Sequence, residues 1–252
     1  MRQPIIAANW KLYKTRAEAR HFIEVLAQQC PDLGALEVVL AAPFPVLETM
    51  QQALQHTPFR LAAQDVFWEN AGAYTGEVSA PMLLDVGCSA VLIGHSERRH
   101  YFGETDETVA KKVAAALHAG LQPIVCIGES LAQRQAGETL TVLERQIRQG
   151  LAGCGPEAIA HLVLAYEPLW AIGSGVTATP SQAQEVHQHL RTLVAQAWDT
   201  ASAQAVRIQY GGSVRPENIT ALMAEADIDG VLVGGASLDA LVFAQILRYG
   251  RK

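Results

Sequence analysis

The sequence predicts an α/β protein, a closed (β/α)8 barrel of eight parallel strands each followed by a helix, on three observations. Short apolar, often β-branched runs recur eight times, and the stretches between them carry apolar residues at helical spacing. The chain is also 252 residues long, close to the roughly 250 that eight such units occupy. The runs lie at about 5–9, 37–42, 60–64, 90–94, 123–127, 161–166, 206–210 and 230–234. Most are apolar at successive positions, which marks strands covered on both faces, as a parallel sheet requires. No linker rich in Pro, Gly or Ser divides the chain, so residues 1–252 read as a single-domain barrel.

The helices between the runs are signalled at their entrances. Thr15/Glu18, Ser130/Gln133 and Thr179/Gln182 each place a hydroxyl three residues before a carboxylate or amide, the spacing of a capping box. Behind the first, Ala19, Phe22, Ile23 and Leu26 follow i, i+3, i+4, i+7; Val109, Val113, Ala116 and Leu117 repeat the stripe, as do Leu238, Leu241 and Val242. All of these are expected in the core. The competing fold is an open doubly wound sheet, for which Gly173 to Ala178 supplies the spelling G-x-G-x-x-A. Its context is wrong: Pro168 separates it from the preceding strand, and the next helix begins only near Pro180.

Lysine and arginine number 19 against 25 acidic residues, a net charge of −6, which excludes a generic polyanion binder such as a nucleic-acid coat. Any anionic ligand must find a locally positive site. No apolar run approaches the roughly 20 residues of a membrane span, and residues 1–11 carry no signal-peptide pattern, so a cytoplasmic protein without membrane or nucleic-acid partners is expected. Cys30, Cys88, Cys126 and Cys154 form no C-x-x-C pair and read as reduced thiols. No metal-ligand spacing and no G-x-S-x-G elbow occur.

In this architecture reactive groups belong at the carboxyl ends of strands. Strand one ends in Asn9-Trp10-Lys11, strand four in Gly94-His95-Ser96-Glu97 and strand six in Tyr166-Glu167-Pro168. Strands seven and eight end in Gly211-Gly212-Ser213 and Gly234-Gly235-Ala236-Ser237. The two glycine pairs let backbone N–H groups approach an anion and precede helix entrances, so together they suggest a phosphate cradle. Glu167, held at the rim before a proline, suits a general base, with a structural salt bridge as the alternative. His95 opens a polar turn whose N–H groups should lower its pKa and favour a neutral donor, or it is structural. Lys11 can bind an anion or oxyanion, or be solvated. Glu129 reads as structural, and His21, His187 and His189 as solvated helix residues.

Together these segments resemble the triosephosphate isomerase family, with matches at Ala8-Asn9-Trp10-Lys11, Gly94-His95-Ser96-Glu97-Arg98-Arg99, Ala165-Tyr166-Glu167-Pro168-Leu169-Trp170-Ala171-Ile172-Gly173-Ser174-Gly175, Tyr210-Gly211-Gly212-Ser213-Val214 and Val233-Gly234-Gly235-Ala236-Ser237-Leu238. The similarity spans the chain and selects the residues that the strand ends select. It implies interconversion of dihydroxyacetone phosphate and D-glyceraldehyde 3-phosphate, in glycolysis and gluconeogenesis, without a cofactor. Glu167 would move a proton between adjacent carbons through an enediol(ate). His95 would polarise the carbonyl, Lys11 with Asn9 would stabilise developing charge, and Glu97 would be the carboxylate behind them. Gly173, Ser213, Gly234 and Gly235 would hold the phosphate. The stretch Pro168-Leu169-Trp170-Ala171-Ile172-Gly173-Ser174-Gly175-Val176-Thr177-Ala178 is similar to the family's mobile lid.

The loop 65–78 holds Phe67, Trp68 and Tyr74, aromatics that a compact domain seldom leaves in water. The resemblance implies a homodimer through this loop, with Gly76 in the interface, Thr75 reaching the neighbour's active site and Glu77 able to pair with the neighbour's Arg98; self-packing of the loop is the alternative. Ala8, Leu12-Tyr13 and Asp65 depart from the family's usual glycine, Met-Asn and asparagine, and none removes a catalytic group. Two other functions compete: a Schiff-base aldolase using Lys11 as nucleophile toward a phosphorylated ketone, and a non-catalytic phosphate-binding barrel.

Overall fold

The computed structural model describes residues 2–172 and 177–250. Its strands are β1 (Ile5–Asn9), β2 (Glu37–Ala42), β3 (Phe59–Ala63), β4 (Ala90–Ile93), β5 (Gln122–Ile127), β6 (Val163–Tyr166), β7 (Arg207–Tyr210) and β8 (Gly230–Val233). Each pairs in parallel with its neighbour in sequence, and β8 closes on β1, giving the (β/α)8 barrel. Among the described residues no helix is long and apolar enough to cross a membrane.

Why the runs are continuously apolar is now visible. Alternate side chains of a strand point to opposite faces. Ile5, Ala7, Val39, Ala41, Leu92, Ile124, Cys126 and Ala165 fill the barrel interior, while Ile6, Ala8, Val38, Leu40, Val91 and Val125 pack outward under the helices. The charged and amide residues near the amino ends have their own task. Glu37 pairs with Arg60 and, at 2.6 Å, with Arg207, and Arg60 also donates to Gln122 at 2.9 Å, so a polar network joins that end of the barrel.

All three expected capping boxes form, ahead of helices Arg16–Gln29, Leu131–Gln135 and Pro180–Ala197. A fourth, Thr105 with Thr108 before helix Asp106–Ala119, escaped sequence reading because its third residue is neither Glu nor Gln. The stripe at Ala19, Phe22, Ile23 and Leu26 is buried as expected. The stripe at Leu238, Leu241 and Val242 is overturned: Leu241 is exposed, and helix Ala240–Leu247 buries Phe243, Ala244, Ile246 and Leu247 instead. That segment is apolar nearly all round, so spacing alone leaves its face undetermined, and the contact of Phe243 with Phe22 at 6.4 Å selects it. His187 also departs from expectation. It is fully buried, its Nδ1 lies 3.2 Å from the Asp227 carbonyl, and burial pushes its pKa down to about 4.

Barrel closure depends on one residue without a side chain. Gly230 lies opposite Ile5 in the β1–β8 ladder, and a Cβ there would stand 1.8 Å from the Ile5 carbonyl oxygen. Gly230→Ala is therefore expected to lower the unfolding free energy in urea by at least about 2 kcal/mol, the scale of forced overpacking. Wild-type stability in the variant would show that the seam is not close-packed.

Candidate active site

Side chains from the ends of β1, β4 and β6 and backbone from beyond β7 and β8 meet at the carboxyl mouth of the barrel. Asn9, Lys11, His95, Glu167, Ser213, Gly234 and Gly235 all line one cavity of about 380 Å³, within the range of small-molecule sites. Glu97 lies beside it, lining an adjoining hollow together with Lys11 and His95. The expected site residues Gly173, Ser174, Gly175 and Val176 lie outside the described residues.

Lys11 follows the end of β1 with a backbone φ of +50°, a left-handed conformation that a residue with a Cβ adopts only when held. It is held by Asn9, whose Oδ1 accepts the Lys11 N–H at 3.0 Å, and by Gln64, whose amide donates to the Lys11 carbonyl at 2.9 Å and to Asn9 Oδ1 at 3.1 Å. The ammonium reaches Glu97 Oε1 at 2.6 Å. Its stem passes Gly234, where an added Cβ would lie 3.2 Å from Lys11 Cε. A cation and the glycine turn after β8 are thereby neighbours.

His95 caps helix Ser96–Tyr101, its Nδ1 accepting the Glu97 N–H at 3.2 Å. Nε2 then faces Glu167 Oε1 at 3.0 Å, and the other carboxylate oxygen accepts the Ser96 N–H at 2.9 Å. One proton on Nε2 satisfies both contacts of the ring. Glu167 is only 2% exposed. Burial alone would raise its pKa, but the His95 charge and bond, the Ser96 N–H and the more distant Lys11 outweigh it, so the carboxyl is held below its ordinary value.

The expectation that His95 has a lowered pKa is overturned. Burial does push downward, yet the Glu167 carboxylate and the bond to it, with a further pull from Glu97, hold the imidazole above its ordinary value. A helix N-terminus was legible near His95; the carboxylate that touches it comes from another strand. The glycine cradle also needs revision. The Gly211 N–H bonds the Tyr166 carbonyl at 2.7 Å, so it is not available to a ligand, and an added Cβ at Gly211 would stand 3.0 Å from Glu167 Cγ. Gly211 makes room for the glutamate, and Gly212, Ser213, Gly234 and Gly235 line the cavity beside it.

Glu129, read from sequence as structural, is fully buried and gathers the stretch that follows Glu167. Its carboxylate accepts from the Trp170 indole at 2.9 Å and the Tyr166 hydroxyl at 3.1 Å, and its carbonyl accepts the Leu169 N–H at 3.1 Å. Arg134 pairs with it at 3.4 Å and covers the Trp170 ring at 4.4 Å. Pro168, Leu169, Trp170, Ala171 and Ile172 thus form an anchored half, the middle three in a 3₁₀ turn; of the remainder, Ala178 is buried and Thr177 exposed.

In the loop 65–78, Phe67 stacks on Trp68 at 4.1 Å and on Tyr74 at 4.7 Å, so these aromatics partly cover one another. Arg98 is engaged within its own chain, by Asp65 at 2.8 Å and Glu104 at 3.5 Å, and Lys112 completes the cluster at 2.6 and 2.5 Å from the same two carboxylates. The most exposed apolar side chains lie elsewhere: Leu12 (94%), Tyr101 (72%) and Phe102 (69%) rim the hollow next to Lys11 and His95.

Known proteins match this chain over nearly its whole length. The family model described as triosephosphate isomerase matches residues 4–250. Over 249 residues the chain is 56% identical to the triosephosphate isomerase of Geotalea uraniireducens (strain Rf4), with 99% of each chain covered. It is 54% identical to that of Thermoanaerobacter pseudethanolicus (strain ATCC 33223 / 39E), covering 99% of this chain and all of the relative, and 54% identical to that of Moorella thermoacetica (strain ATCC 39073 / JCM 9320), with 99% of each covered. From its closed barrel, its rim residues and these relatives, the chain belongs to the triosephosphate isomerase family.

Proposed function

We infer that the enzyme interconverts dihydroxyacetone phosphate and D-glyceraldehyde 3-phosphate by proton transfer between adjacent carbons, with the chain acting as one domain in the cytoplasm. The observation that carries this reading is the single cavity in which a buried carboxylate, an imidazole, an ammonium and a glycine-rich turn converge. Glu167 takes the proton from one carbon and returns it to the next. To do so it gives up its resting bonds to Ser96 and His95. His95 then loses the influence that raised its pKa, and burial returns the ring toward a neutral donor aimed at the substrate oxygens. Lys11, set by Asn9, Gln64 and Glu97, stabilises the enediolate oxygen, while Ser213, Gly234 and Gly235 receive the phosphate. Closure of the lid stretch excludes water from the intermediate.

The aldolase alternative is not favoured. A Schiff base needs a neutral amine, whereas Lys11 is paired with a carboxylate at 2.6 Å. The three relatives named above are isomerases by name.

A homodimer forms part of the same proposal. The hollow rimmed by Leu12, Tyr13, Phe44, Tyr101 and Phe102, about 590 Å³, abuts Lys11 and His95 and suits the loop tip of a second copy, Tyr74, Thr75 and Gly76, with Phe67 and Trp68 stacked behind it. Glu77 of that copy would meet an Arg98 already neutralised by Asp65 and Glu104.

A coupled assay without added metal or nucleotide tests the activity, and turnover is expected. Lys11→Met should cost about 3–4 kcal/mol in kcat/KM, the scale of one oxyanion stabiliser, and full activity in that variant would refute the assigned role. In Glu167→Gln the carboxylate that raises the His95 pKa is gone and burial remains. An NMR titration of the ring should therefore show a value below that of the wild type; an unchanged value would contradict the pairing.

A further inference from the structure

Helix Thr139–Gly150 turns Val142, Leu143, Ile147 and Gly150 to the core, and Gln146 stands buried on the same face. A buried amide is unfavourable there unless both of its ends are bonded. Here both ends meet one residue. Gln146 Oε1 accepts the Gly128 N–H at 2.8 Å, and Nε2 donates to the Gly128 carbonyl at 3.1 Å.

Gly128 is the first residue beyond β5, where the ladder to β6 ends with Ile127 opposite Tyr166. The glutamine side chain thus does for this residue what a neighbouring strand does inside the sheet. Glu167 occupies the remaining space at Gly128. A Cβ there would stand 1.8 Å from the Glu167 carbonyl oxygen and 3.0 Å from Leu169 Cδ1, so only glycine permits the approach. Bonds on either side fasten the two segments, from the Glu167 N–H to the Ile127 carbonyl at 2.7 Å and from the Leu169 N–H to the Glu129 carbonyl at 3.1 Å.

We propose that Gln146 is a positioning residue for the general base: by clamping the Gly128 backbone it fixes the shelf on which the Glu167 backbone rests, and so sets where the carboxylate can reach. This rests on the reading of Glu167 as that base. Gln146 does not line the 380 Å³ cavity; it borders a smaller hollow of about 220 Å³ behind the shelf, shared with Gly128, Glu167 and Leu169, so it acts from behind the base and not on the substrate. Misplacing a reacting group by about 1 Å can lower rate by two orders of magnitude, so a loosened shelf falls on the chemical step.

The test compares Gln146→Met, which removes both bonds at similar volume, with Gln146→Glu, which keeps an acceptor for the Gly128 N–H and turns an oxygen toward the carbonyl. Each is expected to lower kcat about tenfold or more. KM and the inhibition constant of inorganic phosphate should stay within about twofold, because the phosphate donors Ser213, Gly234 and Gly235 lie on the loops after β7 and β8. The acidic limb of the kcat/KM profile should move to higher pH, because a displaced carboxylate loses the His95 and Ser96 contacts that favour its charged form. If Gln146→Met does not fold, Gln146→Glu carries the same readouts. Wild-type kcat in the variants overturns the proposal, as does a parallel loss of kcat, phosphate affinity and thermal stability, which marks a merely structural role. Glu167→Gln is the control: if it keeps full turnover, the base assignment fails, whereas a crippled control beside an unaffected Gln146→Met overturns the clamp alone.

Discussion

A carboxylate excluded from water is the constraint on which the site depends. Desolvating such a charge costs several kcal/mol, and the Glu167 side chain stays ionised only because other groups repay that cost. The Ser96 N–H, the His95 ring and the Lys11 ammonium come from β4 and β1, whereas Glu167 stands at the end of β6. No local segment could supply all of them. Closure of the sheet between β1 and β8 therefore shapes the site as well as the fold, since it sets Lys11 beside the turn after β8. The compensation is also reversible. Each resting partner of the carboxylate is a donor that it can exchange for a bound substrate.

The same economy holds around Lys11. Its left-handed backbone is stabilised from inside by Asn9 and Gln64, while the next residues, Leu12 and Tyr13, face outward on the apolar hollow. On the proposed pairing of two copies, covering those residues would fix the loop from the far side too. Asp65 follows Gln64 directly and anchors it to the Lys112–Glu104–Arg98 cluster. An aspartate at this position thus adds a buried negative charge where two cations already stand.

Much of this was legible in sequence, and the limits have a physical pattern. Strands such as Ile5–Asn9 and Glu37–Ala42 were readable to the residue because both faces are buried, leaving an unbroken apolar run between polar ends. The runs extended too far at Gly94 and Gly234, where the backbone turns out of the ladder toward the site. That Asn9, Lys11, His95 and Glu167 share one cavity was readable because polar side chains at strand ends of a closed barrel all face the same mouth. Glu129, Gln146 and His187 were not, because their meaning lies in partners brought by other elements: an indole from the lid stretch, a glycine beyond β5, a carbonyl at Asp227. The direction of the His95 shift was missed for the same reason, since a helix end can be read locally and a facing carboxylate cannot.

The most direct test of the central claim, that a buried carboxylate carries the migrating proton, is isotopic. With the reaction run in deuterium oxide, the account predicts carbon-bound deuterium in the triose phosphates, because a proton held on Glu167 exchanges with solvent between its two transfers, and it predicts loss of that label with Glu167→Gln. Full turnover by Glu167→Gln, or equal labelling by both proteins, would contradict it.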